Sequence, residues 1–138
     1  MVAATCISER TSMSKLGTFA RVTLAVVRIV NGTAALLVPE MMSKRMGVDP
    51  KEDPSTMYAL RMFGVRTVVI GADLLRRKDD SLEDALRVGI VIHASDAAAA
   101  AIAGKTGQLP AKTAKTGMII SLVNTGLATT AYVAERRG

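Results

Sequence analysis

A chain of 138 residues, 49% of them hydrophobic, is long enough for one domain with a helical core and short for two. Its 18 Lys and Arg against 12 Asp and Glu give a net charge of +6, a balance that would suit nucleic acid or an anionic membrane surface. Aromatic residues make up only 3%, with no Trp, and the cations gather into no single stripe, so nucleic acid is set aside as a partner.

The overall mean hydropathy is positive and leans towards a membrane, although the interfacial aromatic belt that often accompanies membrane spans is missing. The single Cys6 cannot close an internal disulfide, so no oxidising compartment is implied. Residues 1–14, MVAATCISERTSMS, lack a secretory apolar core and read as a disordered tail, with Met13 an alternative start. The remainder, 15–138, reads as a single membrane domain.

The first apolar run, Leu16–Val38, has 23 residues and would span about 34 Å as a helix, enough for a bilayer core of about 30 Å. Pro39 ends it or opens a short interfacial helix through Met41, Met42 and Met46, stopped by Gly47. Asp53-Pro54 is a start signal for the second long helix, which runs to about Leu75. This helix is apolar on nearly every side yet carries Arg61, Arg66 and Asp73. Its Gly64 and Gly71, seven residues apart, share a face that offers close backbone approach to a partner in a homo- or hetero-oligomer.

Arg76-Arg77-Lys78-Asp79-Asp80 reads as a solvated turn. Asp80 or Ser81 then caps a third helix, which runs through Leu86–Ala103 and ends at Gly104. A basic loop follows, with Pro110 opening the fourth run. Its stretch Thr116–Ala134 carries no charge at all and is the best transmembrane candidate. Four helical runs without strand alternation predict an all-α, four-helix up-down bundle, transmembrane. A soluble bundle is the alternative, because the second and third helices are poor spans judged alone. Lys and Arg favour both termini in the cytoplasm, with eight in the N-terminal stretch to Arg21, the 76–78 turn and the C-terminus, and six in the other loops.

The middles of the four runs share a property. Each carries a polar side chain within about one turn of its centre: Arg28, Arg66, His93 and Asn124. Asn31 and Asp96 lie three residues after Arg28 and His93, on the same faces. The pairs Arg28/Asn31 and His93/Asp96 repeat one spacing at an offset of 65, a faint internal echo. A charge at the centre of a bilayer costs at least about 2.5 kcal/mol, so Arg28, Arg66, Asp96 and Asp73 must find partners or water inside the bundle. The bland outcome is a structural polar network. The functional one is a polar cavity.

The run Leu60-Arg61-Met62-Phe63-Gly64-Val65-Arg66, with Gly71, His93 and Asp96 after it, resembles small four-helix integral membrane proteins of unknown function. These are common in actinobacteria and occur also in fungi. The resemblance covers roughly residues 16–135 and implies a four-helix fold in a bacterial inner (plasma) membrane. It brings no activity and no cofactor.

The leading expectation is a membrane protein that binds a small anionic or amphipathic, lipid-like ligand through Arg28, Asn31, Arg66, Asp73 and Asn124, since guanidinium pairs well with carboxylate or phosphate. The second is a membrane-embedded acid–base enzyme acting on a lipid-like substrate, an isomerase or hydrolase with His93 as base and Asp96 orienting it. The third is an accessory subunit packed through Gly64 and Gly71. One His with scattered carboxylates is too little for a metal site, and no phosphate loop or nucleophile elbow is present.

Overall fold

The computed structural model describes the backbone of residues 2–137 and the side chains of residues 15–137. It contains five helices: α1 (Val2–Leu37), α2 (Pro39–Arg45), α3 (Ser55–Arg76), α4 (Asp79–Lys105) and α5 (Ala111–Arg137). No strand occurs among the described residues. Among the described residues, three stretches are long and apolar enough to cross a membrane, Lys15–Leu37 of α1, Asp79–Lys105 and Ala111–Arg137. The expected four-helix transmembrane bundle is therefore corrected to five helices with three candidate spans. The reason lies in α3, where Arg61 and Arg66 interrupt the apolar run. With three spans, the even parity behind the expectation of both termini on one side no longer holds. The backbone from Val2, in the segment read as a disordered tail, is part of α1.

Helix ends follow local chemistry. Pro39 opens α2, where its missing N–H costs nothing, and Gly47 at φ +79 turns the chain out of it. Asp53 accepts from the Ser55 N–H at 3.1 Å, from the Ser55 hydroxyl and from the Thr56 hydroxyl at 2.7 Å, tying down the start of α3. The Ser55 and Thr56 hydroxyls hold the Asp53 carboxyl below the usual carboxylate range. Neither Asp80 nor Ser81 caps α4. The helix begins at Asp79, and Ser81 donates back to the Lys78 carbonyl at 2.7 Å. It also runs past Gly104 to Lys105.

Among the described residues, the buried hydrophobic side chains are eight alanines and five leucines, whereas Phe19, Val30, Phe63, Val69, Val91, Ile102 and Val123 are each more than half exposed. A domain folded against water buries its larger apolar side chains first. Small residues inside and branched ones outside are what helices packing in lipid require, since close approach, not removal of oil from water, drives their association. The outer hydroxyls fit the same setting. Thr116, Thr125, Thr129 and Thr130 of α5 each donate to the carbonyl four residues earlier, at 2.8–2.9 Å, and need no water.

Helix α1 packs along α3 and α5, and α5 packs along α4, whereas α3 and α4 barely meet. The closest approach is α1 on α3. A Cβ at Gly64 would lie 2.6 Å from the Gly32 carbonyl oxygen and 2.8 Å from the Leu36 nitrogen, and one at Gly71 would lie 3.0 Å from the Ala25 carbonyl oxygen. The Gly64/Gly71 face expected to receive another chain is thus already covered by α1.

The two ends of the bundle differ. At the α3–α4 turn, Leu24, Leu74, Leu82 and Leu86 close the core with Ala20, Ala25, Ala128 and Ala131. Away from the turn α3 and α4 diverge, because only the residues 77–78 join them and little packing draws them back together. The interior there is open.

Candidate functional site

The opening is a cavity of about 490 Å³ floored by α1 and walled by α3, α4 and α5. Its polar lining is Arg28 and Asn31 of α1, Arg66 and Thr67 of α3, His93 and Asp96 of α4, and Ser121 and Asn124 of α5. Met62, Phe63, Ile70, Ile92 and Ile120 supply apolar wall. Six of the seven residues singled out as binding or catalytic candidates therefore share one space. Asp73 does not. It lies near the sealed end and forms an ion pair with Arg77, one helical turn on. The reason is spacing: Asp73 is seven residues beyond Arg66 on α3, and that carries it about 10 Å towards the turn.

At the floor Arg28 is buried, with 4% of its surface exposed. Its Nε lies 3.1 Å and its Nη2 2.7 Å from His93 Nε2. These helices, α1 and α4, have no extended packing contact, so the long arginine side chain bridges them across the bundle. Gly89, one turn before His93, leaves space beside Nη2, where a Cβ would stand 3.8 Å away.

A guanidinium can only donate, so Nε2 must accept, and the imidazole proton resides on Nδ1. That nitrogen lies 3.8 Å from Asp96 Oδ2, too long for a direct hydrogen bond. Arg28 has no carboxylate within 4.0 Å among the described residues. Its side-chain hydrogen-bond partner among the described residues is a neutral acceptor.

Asn124 is buried, yet its amide makes no hydrogen bond among the described residues. Arg66 was expected to find a partner or water inside the bundle. Instead it is exposed at the cavity rim, with no ion pair among the described residues. Side-chain length explains the difference, since an arginine at the edge of an opening reaches solvent more easily than a short side chain. The cavity thus offers two guanidiniums, one carboxylate, two neutral amides, two hydroxyls and the imidazole.

Sequence reasoning placed Arg28 and His93 at one depth but did not join them. The signal was present, since the 65-residue echo pairs the two residues that bond. The Met62 and Phe63 wall had no comparable signal, because apolar residues on an apolar helix do not announce which of them face a cavity. No protein-family model, no curated protein and no solved structure matches the chain, so the reading of this site rests on its own residues.

Proposed function

We propose that this chain is a membrane protein that holds a small anionic or amphipathic, lipid-like ligand in the cavity above Arg28. One observation carries the reading. A buried guanidinium, satisfied on one side by a neutral histidine, lines an open cavity in which Asn124 and Arg66 have no protein partner among the described residues. Guanidinium and amide donors suit a carboxylate or phosphate, and the apolar wall suits a hydrocarbon tail. The poorly packed seam between α3 and α4 opens sideways, where a ligand dissolved in a bilayer would enter. A bacterial plasma membrane is the setting that the resemblance to small actinobacterial membrane proteins adds.

The acid–base alternative asks His93 to accept a proton. A neutral imidazole has one lone pair, and here it lies on Nε2, which takes the hydrogen bonds from Arg28. His93 acts in this arrangement as an anchor for the arginine. The accessory-subunit alternative loses the glycine face on which it rested.

The test is mass spectrometry of what co-purifies with the full chain in mild detergent. Wild type should carry an anionic amphiphile that Arg66→Gln, a substitution at the exposed rim, retains at least tenfold less. Identical extracts from wild type, Arg66→Gln and Arg28→Gln would overturn the reading.

A further inference from the structure

A second opening lies where α1 ends. It is a pocket of about 630 Å³ between α2 and α3, and its charged lining is Lys44, Arg45 and Arg61 against the single Glu40. None of the three cations forms an ion pair among the described residues. The pocket therefore carries an excess of two positive charges with no counterion from the protein.

Its position specifies what kind of anion. Leu37, the last residue of the candidate span in α1, is 71% exposed, and Met41 on α2 is 45% exposed. Met41, Lys44 and Arg45 lie three and four residues apart, on one face of α2, while Pro39 and Ser43 are buried beneath. An apolar rim at the end of a membrane span beside a cluster of exposed cations matches the boundary between acyl chains and headgroups. Arg61 completes the cluster from α3. It is five residues from Arg66, which turns it roughly 140° around the helix, away from the cavity above Arg28.

We infer that this pocket is a binding site for the phosphodiester headgroup of an anionic phospholipid, with Lys44, Arg45 and Arg61 around the phosphate and an acyl chain lying over Leu37 and Met41. Planar guanidiniums engage phosphate oxygens bidentately, and lysine adds a mobile point charge. A soluble phosphate would use the same cations but would gain nothing from the apolar rim. The site is separate from the cavity above Arg28 and does not depend on what occupies it.

The test uses the full chain in phosphatidylcholine nanodiscs doped with phosphatidylglycerol, with retained lipids counted by native mass spectrometry after gentle release. A juxtamembrane cation contributes about fivefold to anionic-lipid affinity, so Arg61→Gln alone should weaken phosphatidylglycerol retention by about that factor. The triple variant Lys44→Gln, Arg45→Gln, Arg61→Gln should weaken it about a hundredfold. The fold-loss caused by Arg61→Gln should be the same in an Arg66→Gln background, which separates this pocket from the proposed ligand cavity. Excess inorganic phosphate should not displace the lipid. Equal retention by wild type and Arg61→Gln would overturn the site, and displacement by inorganic phosphate would overturn the lipid assignment. Because Arg61→Gln is a single exposed substitution, the result does not depend on the triple variant folding.

Discussion

Replacing either partner of the Arg28–His93 bond should have opposite consequences for stability. His93→Leu removes the acceptor from a guanidinium that is 4% exposed and has no carboxylate within 4.0 Å. Hydrogen bonds to charged groups contribute about 1.5–3 kcal/mol, and the open cavity lets water recover part of that, so the expected loss is about 2 kcal/mol. Arg28→Met keeps the aliphatic stem that packs beside Gly71, where a Cβ would lie 3.1 Å from Arg28 Cβ. It leaves His93 Nε2 unpaired, at about 1 kcal/mol, but removes a charge whose placement at mid-membrane costs at least about 2.5 kcal/mol. The second number exceeds the first, so Arg28→Met should be neutral or stabilising. The double variant should then sit well above His93→Leu, with a coupling energy above the ~0.6 kcal/mol typical of hydrogen bonds between membrane helices. Reversible denaturation in mixed micelles, followed by circular dichroism, measures all four corners of this cycle. An Arg28→Met protein less stable than His93→Leu would refute the reasoning, because it would mean that the guanidinium has strong partners beyond the histidine.

Other outcomes are checked more quickly. Gly64→Ala would push a methyl into the backbone of α1 and should cost about 1–3 kcal/mol by thermal melting, whereas Gly126→Ala, with nothing within 4 Å, should be neutral or slightly stabilising. Equal effects at the two positions would contradict the close α1–α3 crossing. His93→Gln keeps an acceptor for Arg28 and should retain both fold and bound ligand, while Arg66→Gln should lose ligand with an unchanged helical circular-dichroism spectrum; the reverse pattern would sink the ligand reading. The Asp53 carboxyl is held below its usual range in the folded chain, so its contribution is present above the unfolded value of about 3.9 and fades as pH falls through the lower folded value. The melting-temperature gap between wild type and Asp53→Ala should accordingly persist from pH 7 to about 5 and shrink below about 4, and a gap that does not change with pH would rule out a role for the ionised Asp53 carboxylate.

What the sequence made legible follows its periodicities. Long apolar runs, Pro39, Gly47 and Asp53-Pro54 carry local signals strong enough to place α2, α3, α5 and the C-terminal end of α1 within a few residues, whereas the start of α1, at Val2, was missed. Equal depth of Arg28, His93 and Asn124 along their runs was likewise readable, because helix rise converts residue number into height. Pairing across the bundle was not, since it depends on which helices are neighbours. Gly64 and Gly71 illustrate this well. Their spacing declares a face for close packing, but nothing local says whether the helix received there belongs to the same chain, and here it is α1. Asp73 shows the converse error. It was grouped with Arg66 as a ligand candidate, whereas Arg77, four residues on, is closer and takes the carboxylate.

The position of Arg28 follows from the contrast between the two ends of the bundle. Leucines fill the space at the α3–α4 turn, so a polar side chain there would have no room and no water. One helical turn beyond Leu24, the packing gives way to the cavity, and Arg28 is at the first position on that face of α1 where a guanidinium can be both anchored and reachable. Burying it deeper would remove it from any ligand, and placing it further out would let it reach water as Arg66 does. Its bond to His93 holds the head in that intermediate place without neutralising it. A carboxylate in the position of His93 would anchor Arg28 more strongly but would cancel the charge that an anionic ligand needs. A neutral acceptor opposite a buried cation is therefore what the proposed binding of an anion requires, whereas a purely structural ion pair would place a carboxylate there.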